Sequence, residues 1–113
     1  MSSKKRVESD LLGEVELDNS HLYGVQTARA IDNFKFSPFK INDYPHFVEG
    51  LALTKKGAAM ANHKLGLLTD KQAKAIEQAC DEILAGKHHE HFVVDMFQGG
   101  AGTSTNINAN EVI

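Results

Sequence analysis

The stretch from Phe47 to Gly86, FVEGLALTKKGAAMANHKLGLLTDKQAKAIEQACDEILAG, decides the fold class. Within it Phe47, Leu51, Thr54, Ala58, Ala61 and Leu65 recur at steps of four and three, one stripe of an α-helix. The small residues Gly57, Ala58, Ala59 and Ala61 would let a neighbouring helix come close, and Gly66 offers a left-handed stop. Thr69 and Gln72 then have capping-box spacing, hydroxyl and amide each meeting a free backbone N–H. Ala73, Ile76, Cys80 and Ile83 form the buried stripe of a second helix, which Gly86 ends. The short connection between the two helices implies an antiparallel pair.

Working outward, residues 35–46 hold both prolines, Pro38 and Pro45, with Ser37, Asn42 and Asp43, and read as a loop. Before it, Asp18-Asn19-Ser20 offers capping oxygens for a helix from about His21 to Phe34. Residues 7–17 alternate loosely around Gly13 and predict a short, marginal hairpin. Downstream, Asn106–Ile113 has helical character and ends on Glu111-Val112-Ile113 without glycine, proline or a basic last turn. The expectation is a mainly α, small helical domain over residues 1–113, with a short β-hairpin near the N-terminus and a helix cut at its end.

Composition narrows the function classes. The chain has 113 residues, 42% apolar and 24% charged, with a formal net charge of −3, which is too apolar and too weakly charged for a disordered segment. It carries no basic stripe of the kind that binds nucleic acid. Cys80 is the single cysteine, so no internal disulfide can form and a reducing compartment fits. No apolar run approaches the roughly 20 residues that span a bilayer. The basic opening Lys4-Lys5-Arg6 is followed by Glu8 and Asp10, where a signal peptide needs apolar residues. These features predict a soluble, cytoplasmic protein with neither nucleic-acid nor membrane partners.

The chemically unusual segment is Gln98-Gly99-Gly100-Ala101-Gly102-Thr103-Ser104-Thr105-Asn106-Ile107-Asn108-Ala109-Asn110-Glu111. Its three glycines let a ligand approach the main chain. Three hydroxyl residues and three asparagines follow, and asparagine competes with the helix for backbone groups. A helix start presents free N–H groups and positive partial charge to a carboxylate or phosphate, and Thr103, Ser104 and Thr105 add neutral donors. Asn106 and Asn110, four apart, could share a face. The plainer alternative is N-capping by Thr103 or Ser104, with the asparagines bonded to neighbouring helices. A nucleotide phosphate loop is disfavoured, since no lysine follows Gly102.

Other polar residues carry weaker signals. His88, His89 and His91 with Glu90 could ligate a divalent ion, although adjacent imidazoles converge poorly, and a solvated turn is the plainer reading. His21, His46 and His63 read as surface or capping residues. Cys80 lies on an apolar stripe and reads as core. Lys55, Lys56, Gln26 and Arg29 are either ligand contacts or ordinary surface and interhelix partners. No nucleophile–base set can be assembled by spacing.

The run Gly99–Ile113 resembles the glycine-rich signature of the aspartase/fumarase superfamily, on its aspartase side. Four further pieces agree in order and spacing: Asp10–Gly13, Tyr23–Thr27 through Arg29–Phe34, Lys55–Asn62 and Ala79–Ile83. Fumarases of class II typically read Thr-Gly-Ser-Gly-Thr-Gln where this chain has Gly-Gly-Ala-Gly-Thr-Ser from Gly99 to Ser104. Family members often have Val-Pro at Leu17-Asp18 and Met at Ile107, which touches only a turn and a volume-similar apolar position.

The resemblance implies a reversible elimination of ammonia from L-aspartate to give fumarate and ammonium. It implies no cofactor and no bound metal, leaving open a divalent activator of the intact enzyme. It also implies a homotetramer whose sites are shared between subunits. Thr103 would contact substrate, Ala101, Gly102 and Ser104 would shape the pocket wall, and the general base would be a serine on a loop outside this chain. The alternatives are a fumarate hydratase acting on malate and fumarate, or a non-catalytic helical binding module that keeps the loop.

Overall fold

In the computed structural model, which describes residues 4–113, Leu11 and Leu12 form the exposed two-residue tip of an antiparallel hairpin. Strands β1 (Lys5–Asp10) and β2 (Gly13–Asp18) pair with Lys5 opposite Asp18, Glu8 opposite Val15 and Asp10 opposite Gly13. Gly13 takes φ +121°, which frees the chain to reverse there. The alternation is weak because Leu17 is the one buried apolar residue of the inner face, the rest of which meets the domain through the half-buried polar side chains of Arg6, Glu8 and Asp10.

Helix α1 spans Val25–Asn33, four residues later than the sequence reading placed its start. Asp18-Asn19-Ser20 closes a turn of its own, with the Asp18 carboxylate accepting the Ser20 N–H at 2.8 Å, so it does not cap the helix. The residue before α1 is Gly24, which has no side chain to cap with. Two distant glutamates take over that task, as described below.

Helices α2 (Pro45–Lys64) and α3 (Asp70–Leu84) form the expected antiparallel pair. Lys56 bridges Asp81 at 2.6 Å and His63 reaches Asp70 at 2.5 Å, so the numbering runs in opposite directions along the contact. Pro45 belongs to the first turn of α2, where its missing N–H costs nothing, so the loop ends two residues earlier than its composition suggests. Within that loop Ile41–Asp43 makes a 3-10 turn that buries Ile41 completely. The capping box of α3 is present in both directions: Thr69 Oγ1 accepts the Gln72 N–H at 3.1 Å, and Gln72 Oε1 accepts the Thr69 N–H at 3.0 Å. Gly66 and Gly86 both adopt positive φ at the two helix ends.

The buried face of α2 is not the one the spacing suggested. Val48, Ala52 and Ala59 are buried, whereas Phe47, Thr54, Ala58, Ala61 and Leu65 are exposed and Leu51 is half-buried. The two stripes have the same period and are offset by about one residue, or roughly 100° around the axis. In an alanine-rich helix both are apolar, so periodicity alone cannot choose between them. Val48 and Ala52 join the core formed with Ile41, Cys80, Ile83, Phe92 and Ala109. Ala73, Cys80 and Ile83 answer from α3 as expected, with Ile76 half-buried against the same cluster.

A second 3-10 turn, His89–His91, leads into an extended run, 92–96, that lies antiparallel to residues 39–42. Ile41 N–H donates to Val94 O at 3.2 Å and Asn42 N–H to Phe92 O at 3.1 Å. Phe92 and Val94 plug the centre of the core, alongside Ile41, Val48, Cys80, Ile83 and Ala109. The last helix, α4 (Thr103–Val112), packs along α1 and closes the core with Ala109. Among the described residues no helix is long and apolar enough to cross a membrane.

Candidate functional site

The glycine-rich turn ends in Gly102, whose φ of +71° and ψ of +19° place it in the left-handed region immediately before α4. Its N–H closes the turn on Gly99 O at 3.1 Å, and its carbonyl accepts the first intrahelical bond, from Asn106 N at 3.1 Å. Neither Thr103 nor Ser104 is the cap, because both already lie inside the helix. The cap comes from Gln98, whose Oε1 accepts the Thr105 N–H at 3.0 Å while its Nε2 donates to Asp95 O at 2.9 Å. Of the first-turn donors, the N–H groups of Thr103 and Ser104 have no partner among the described residues and stand at the positive end of the helix dipole. Thr103 and Ala101 are exposed, and Gly102 and Ser104 half-buried. Thus the four residues that the sequence nominated share one accessible tip.

The loop carrying this tip is held rigidly. Asp95 is 5% exposed and accepts four hydrogen bonds: Phe36 N at 2.7 Å, Ser37 N at 2.8 Å, Ser37 Oγ at 2.7 Å and Phe97 N at 2.8 Å. The Ser37 N–H and hydroxyl, with the N–H groups of Phe97 and Phe36, hold its carboxyl far below the usual carboxylate range. Asn108, fully buried on α4, accepts from Val93 N at 2.9 Å and Val94 N at 3.4 Å and donates to His91 O at 2.9 Å. These bonds explain one of the three asparagines: it pins α4 to the 92–96 run. Asn106 is another interhelix partner, accepting from Lys55 Nζ at 2.5 Å, and Asn110 lies beside Lys55 on the same face.

Two clefts flank the tip helix. On one side Ser104 and Ile107 line about 180 Å³ with Gln26, Arg29 and Asn33 of α1. Arg29 is committed there, its Nε and Nη2 donating to Asp10 at 2.8 Å each and Nη2 also to Gly13 O at 3.1 Å, with Gln26 Nε2 on the same carboxylate at 2.8 Å. These side chains tie α1 to the hairpin, and the Arg29 guanidinium lowers the Asp10 carboxyl. On the other side Lys55, Asn62 and Asn110 line about 310 Å³ together with apolar residues of α2, α3 and α4.

The histidines do not converge. His89 Nε2 sits 2.9 Å from Ile83 O, His88 Nε2 3.4 Å from Glu82, and His91 Nδ1 accepts the Leu22 N–H at 3.4 Å. Among the described residues no group of three or more His, Cys, Asp or Glu is placed to hold a metal ion. Burial lowers His91 and pushes the Cys80 thiol up, and Cys80 is a core residue as read. His21 stacks on Tyr23, His46 meets Glu49 and His63 meets Asp70, so each is a local partner.

Sequence reasoning missed Gln98, Asp95, Asn108 and Glu111. Asn108 and Gln98 stood inside the unusual segment without a role, and Asp95 and Glu111 act on backbone far away in sequence. Glu111 accepts from Thr27 N at 2.6 Å, Thr27 Oγ1 at 2.5 Å and Gln26 N at 3.1 Å, capping α1 across 84 and 85 positions of chain. Glu8 completes that cap through Val25 N at 3.1 Å.

Comparison with known proteins places this tip in a context. The chain is 54% identical over 108 residues to the aspartate ammonia-lyase of Pseudomonas fluorescens, covering 96% of this chain and 23% of that protein. A fumarate lyase:delta crystallin structure from Brucella melitensis superposes with a TM-score of 0.93 at 50% identity, covering 96% of this chain and 25% of that one. A class II fumarase from Schistosoma mansoni superposes with a TM-score of 0.89 at 38% identity, covering 96% and 23%. The chain therefore spans about a quarter of the length of the relatives it matches. The lyase family model matches residues 13–113, second hairpin strand, helix pair and glycine-hinged tip together, and the chain belongs to the lyase family.

Proposed function

We propose that this chain supplies one wall of the active site of an ammonia-lyase that converts L-aspartate reversibly to fumarate and ammonium. A base carried outside these 113 residues takes the proton from the carbon next to the β-carboxylate. The released electron pair moves into that carboxylate and gives an aci-carboxylate dianion. The pair then returns to form the C=C bond as the C–N bond breaks on the opposite face, and the ammonia released takes up a proton to become ammonium. The barrier is dominated by the second negative charge on one carboxylate, so fixed donors aimed at it supply much of the rate.

One observation carries this reading. Among the described residues, the Thr103 and Ser104 N–H groups in the first turn of α4 have no hydrogen-bond partner; they stand beside the Thr103 hydroxyl, on a loop that Gln98 and Asp95 tie down. Such a site costs no reorganisation as charge develops. In this reading Thr103 binds the substrate, Gly102 gives it backbone access, and Ala101 and Ser104 form the wall. The remaining walls come from other parts of a homotetramer. Aspartate rather than malate as the substrate is supported by the Gly-Gly-Ala-Gly-Thr-Ser loop from Gly99 to Ser104 and by the 54% identity to an aspartate ammonia-lyase.

The test is a chimera in which this chain replaces the matching quarter of the Pseudomonas fluorescens relative, assayed by fumarate absorbance. Thr103→Ala is expected to lower kcat on the order of 10²-fold, by analogy with loss of one oxyanion donor. A rate near wild type would show that Thr103 only starts a helix. Faster formation of fumarate from malate than from aspartate would favour the hydratase reading. The 113-residue chain alone is expected to give no turnover.

A further inference from the structure

We propose that Glu111 is a positioning residue for this elimination: its carboxylate, anchored on the first turn of α1, sets the axial rotation of α4 and so the direction of the Thr103 and Ser104 donors. The inference rests on the reading of the α4 tip given above.

Glu111 and Ser104 are seven residues apart, just under two helical turns, so they lie on the same face of α4, about 10 Å apart along the axis. At the Ser104 end this face lines the cleft shared with α1, with Gln26, Arg29 and Asn33 across it. At the Glu111 end it meets Gln26 and Thr27, at the start of α1. Glu111 is thus the polar stop that fixes α4 against the start of α1.

The stop is unusually constrained. Both Glu111 oxygens are engaged, by the Gln26 and Thr27 N–H groups and by the hydroxyl of Thr27, which is fully buried. The carboxylate also sits at the positive end of the α1 dipole. Gly24 leaves the room: a Cβ there would press on the Glu111 carboxylate and lie 2.7 Å from Glu8 Oε1. Arg6 braces Glu8 at 2.6 Å and holds Tyr23 O at 2.7 Å and Asp18 O at 3.0 Å. A serine or asparagine at position 24 could have capped α1 locally. Here the acceptors instead come from the hairpin and from the helix that carries the tip, so the orientation of α4 is written into the cap of α1.

The experiment is a double-mutant cycle in the chimera, with kcat and KM for aspartate measured for Glu111→Ala, Thr103→Ala and the pair. Small misplacements of positioning groups can cost on the order of 10²-fold. Glu111→Ala is expected to lower kcat at least about 10-fold, with Glu111→Gln, which keeps one acceptor, in between. In the Thr103→Ala background the same change should cost less, under about 3-fold, because the hydroxyl it aims is gone and only the backbone N–H groups of Thr103 and Ser104 are left to misplace. A structural role alone would give the same loss in both backgrounds, and that result, or a Glu111→Ala kcat within about 2-fold of wild type, would overturn the proposal. If Glu111→Ala does not fold, Glu111→Gln carries the same cycle. A near-normal Thr103→Ala rate would overturn the reading of the tip itself, and this inference with it.

Discussion

Replacing Asn108 with alanine removes three hydrogen bonds from one fully buried side chain. The Val93 N–H and the His91 carbonyl, both at 2.9 Å, lose good partners inside the domain. Each polar group left buried and unpaired costs about 1–3 kcal/mol. The Val94 contact, at 3.4 Å, is near the limit of a hydrogen bond and adds little. The expected loss is therefore about 3 kcal/mol, a large share of the total stability of a domain this size. With a urea dependence of about 1.5 kcal/mol per molar, the unfolding midpoint should fall by about 2 M. The assay is urea unfolding of the 113-residue chain followed by far-ultraviolet circular dichroism. Asn108→Asp is an informative companion: it keeps the oxygen that accepts from Val93 and Val94 but sets a second carboxylate oxygen against the His91 carbonyl, and should fare no better than alanine. A midpoint shift below about 0.5 M for Asn108→Ala would show that α4 is not pinned to the 92–96 run by this residue.

The Asp95 carboxyl is held far below its ordinary value of 3.8, so its contribution to stability is complete above that value and is lost as pH falls through the folded pKa. Stability measured from pH 5 downward should therefore fall less steeply in Asp95→Asn than in the parent; parallel acid limbs would show that the carboxylate is not the group responsible. Gly24→Ala should push the Glu8 and Glu111 carboxylates off the first turn of α1 and cost about 1–2 kcal/mol, as loss of an N-cap does, visible as a lower thermal midpoint. An unchanged midpoint would mean that the two glutamates do not cap the helix.

What the sequence disclosed was mostly what is decided locally. Thr69 and Gln72 cap each other within one turn, and Gly66 and Gly86 stop helices at their own positions, so α3 and the helix pair could be read directly. The start of α1 could not, because its acceptors arrive from residues 8 and 111 and nothing at Gly24 announces them. The buried face of α2 was misassigned for a different reason. With apolar residues on adjoining stripes, it is the tertiary packing of α3, the 41–43 turn, the 92–96 run and α4 that selects Val48, Ala52 and Ala59 over Phe47, Ala58 and Leu65. The glycine-rich segment was conspicuous by composition, yet its asparagines divided between tasks that spacing does not separate. Asn108 went to the backbone of the 92–96 run and Asn106 to Lys55. Gln98 looked like the prelude to the loop and turned out to cap the helix beyond it.

The most direct test of the central claim is a crystal structure of the chimera with fumarate bound. The account predicts one carboxylate oxygen within about 3 Å of the Thr103 N–H or hydroxyl, ordinary hydrogen-bond range, at the end of α4. A dicarboxylate seated elsewhere, with no oxygen within about 5 Å of Thr103 or Ser104, beyond any direct hydrogen bond, would contradict it.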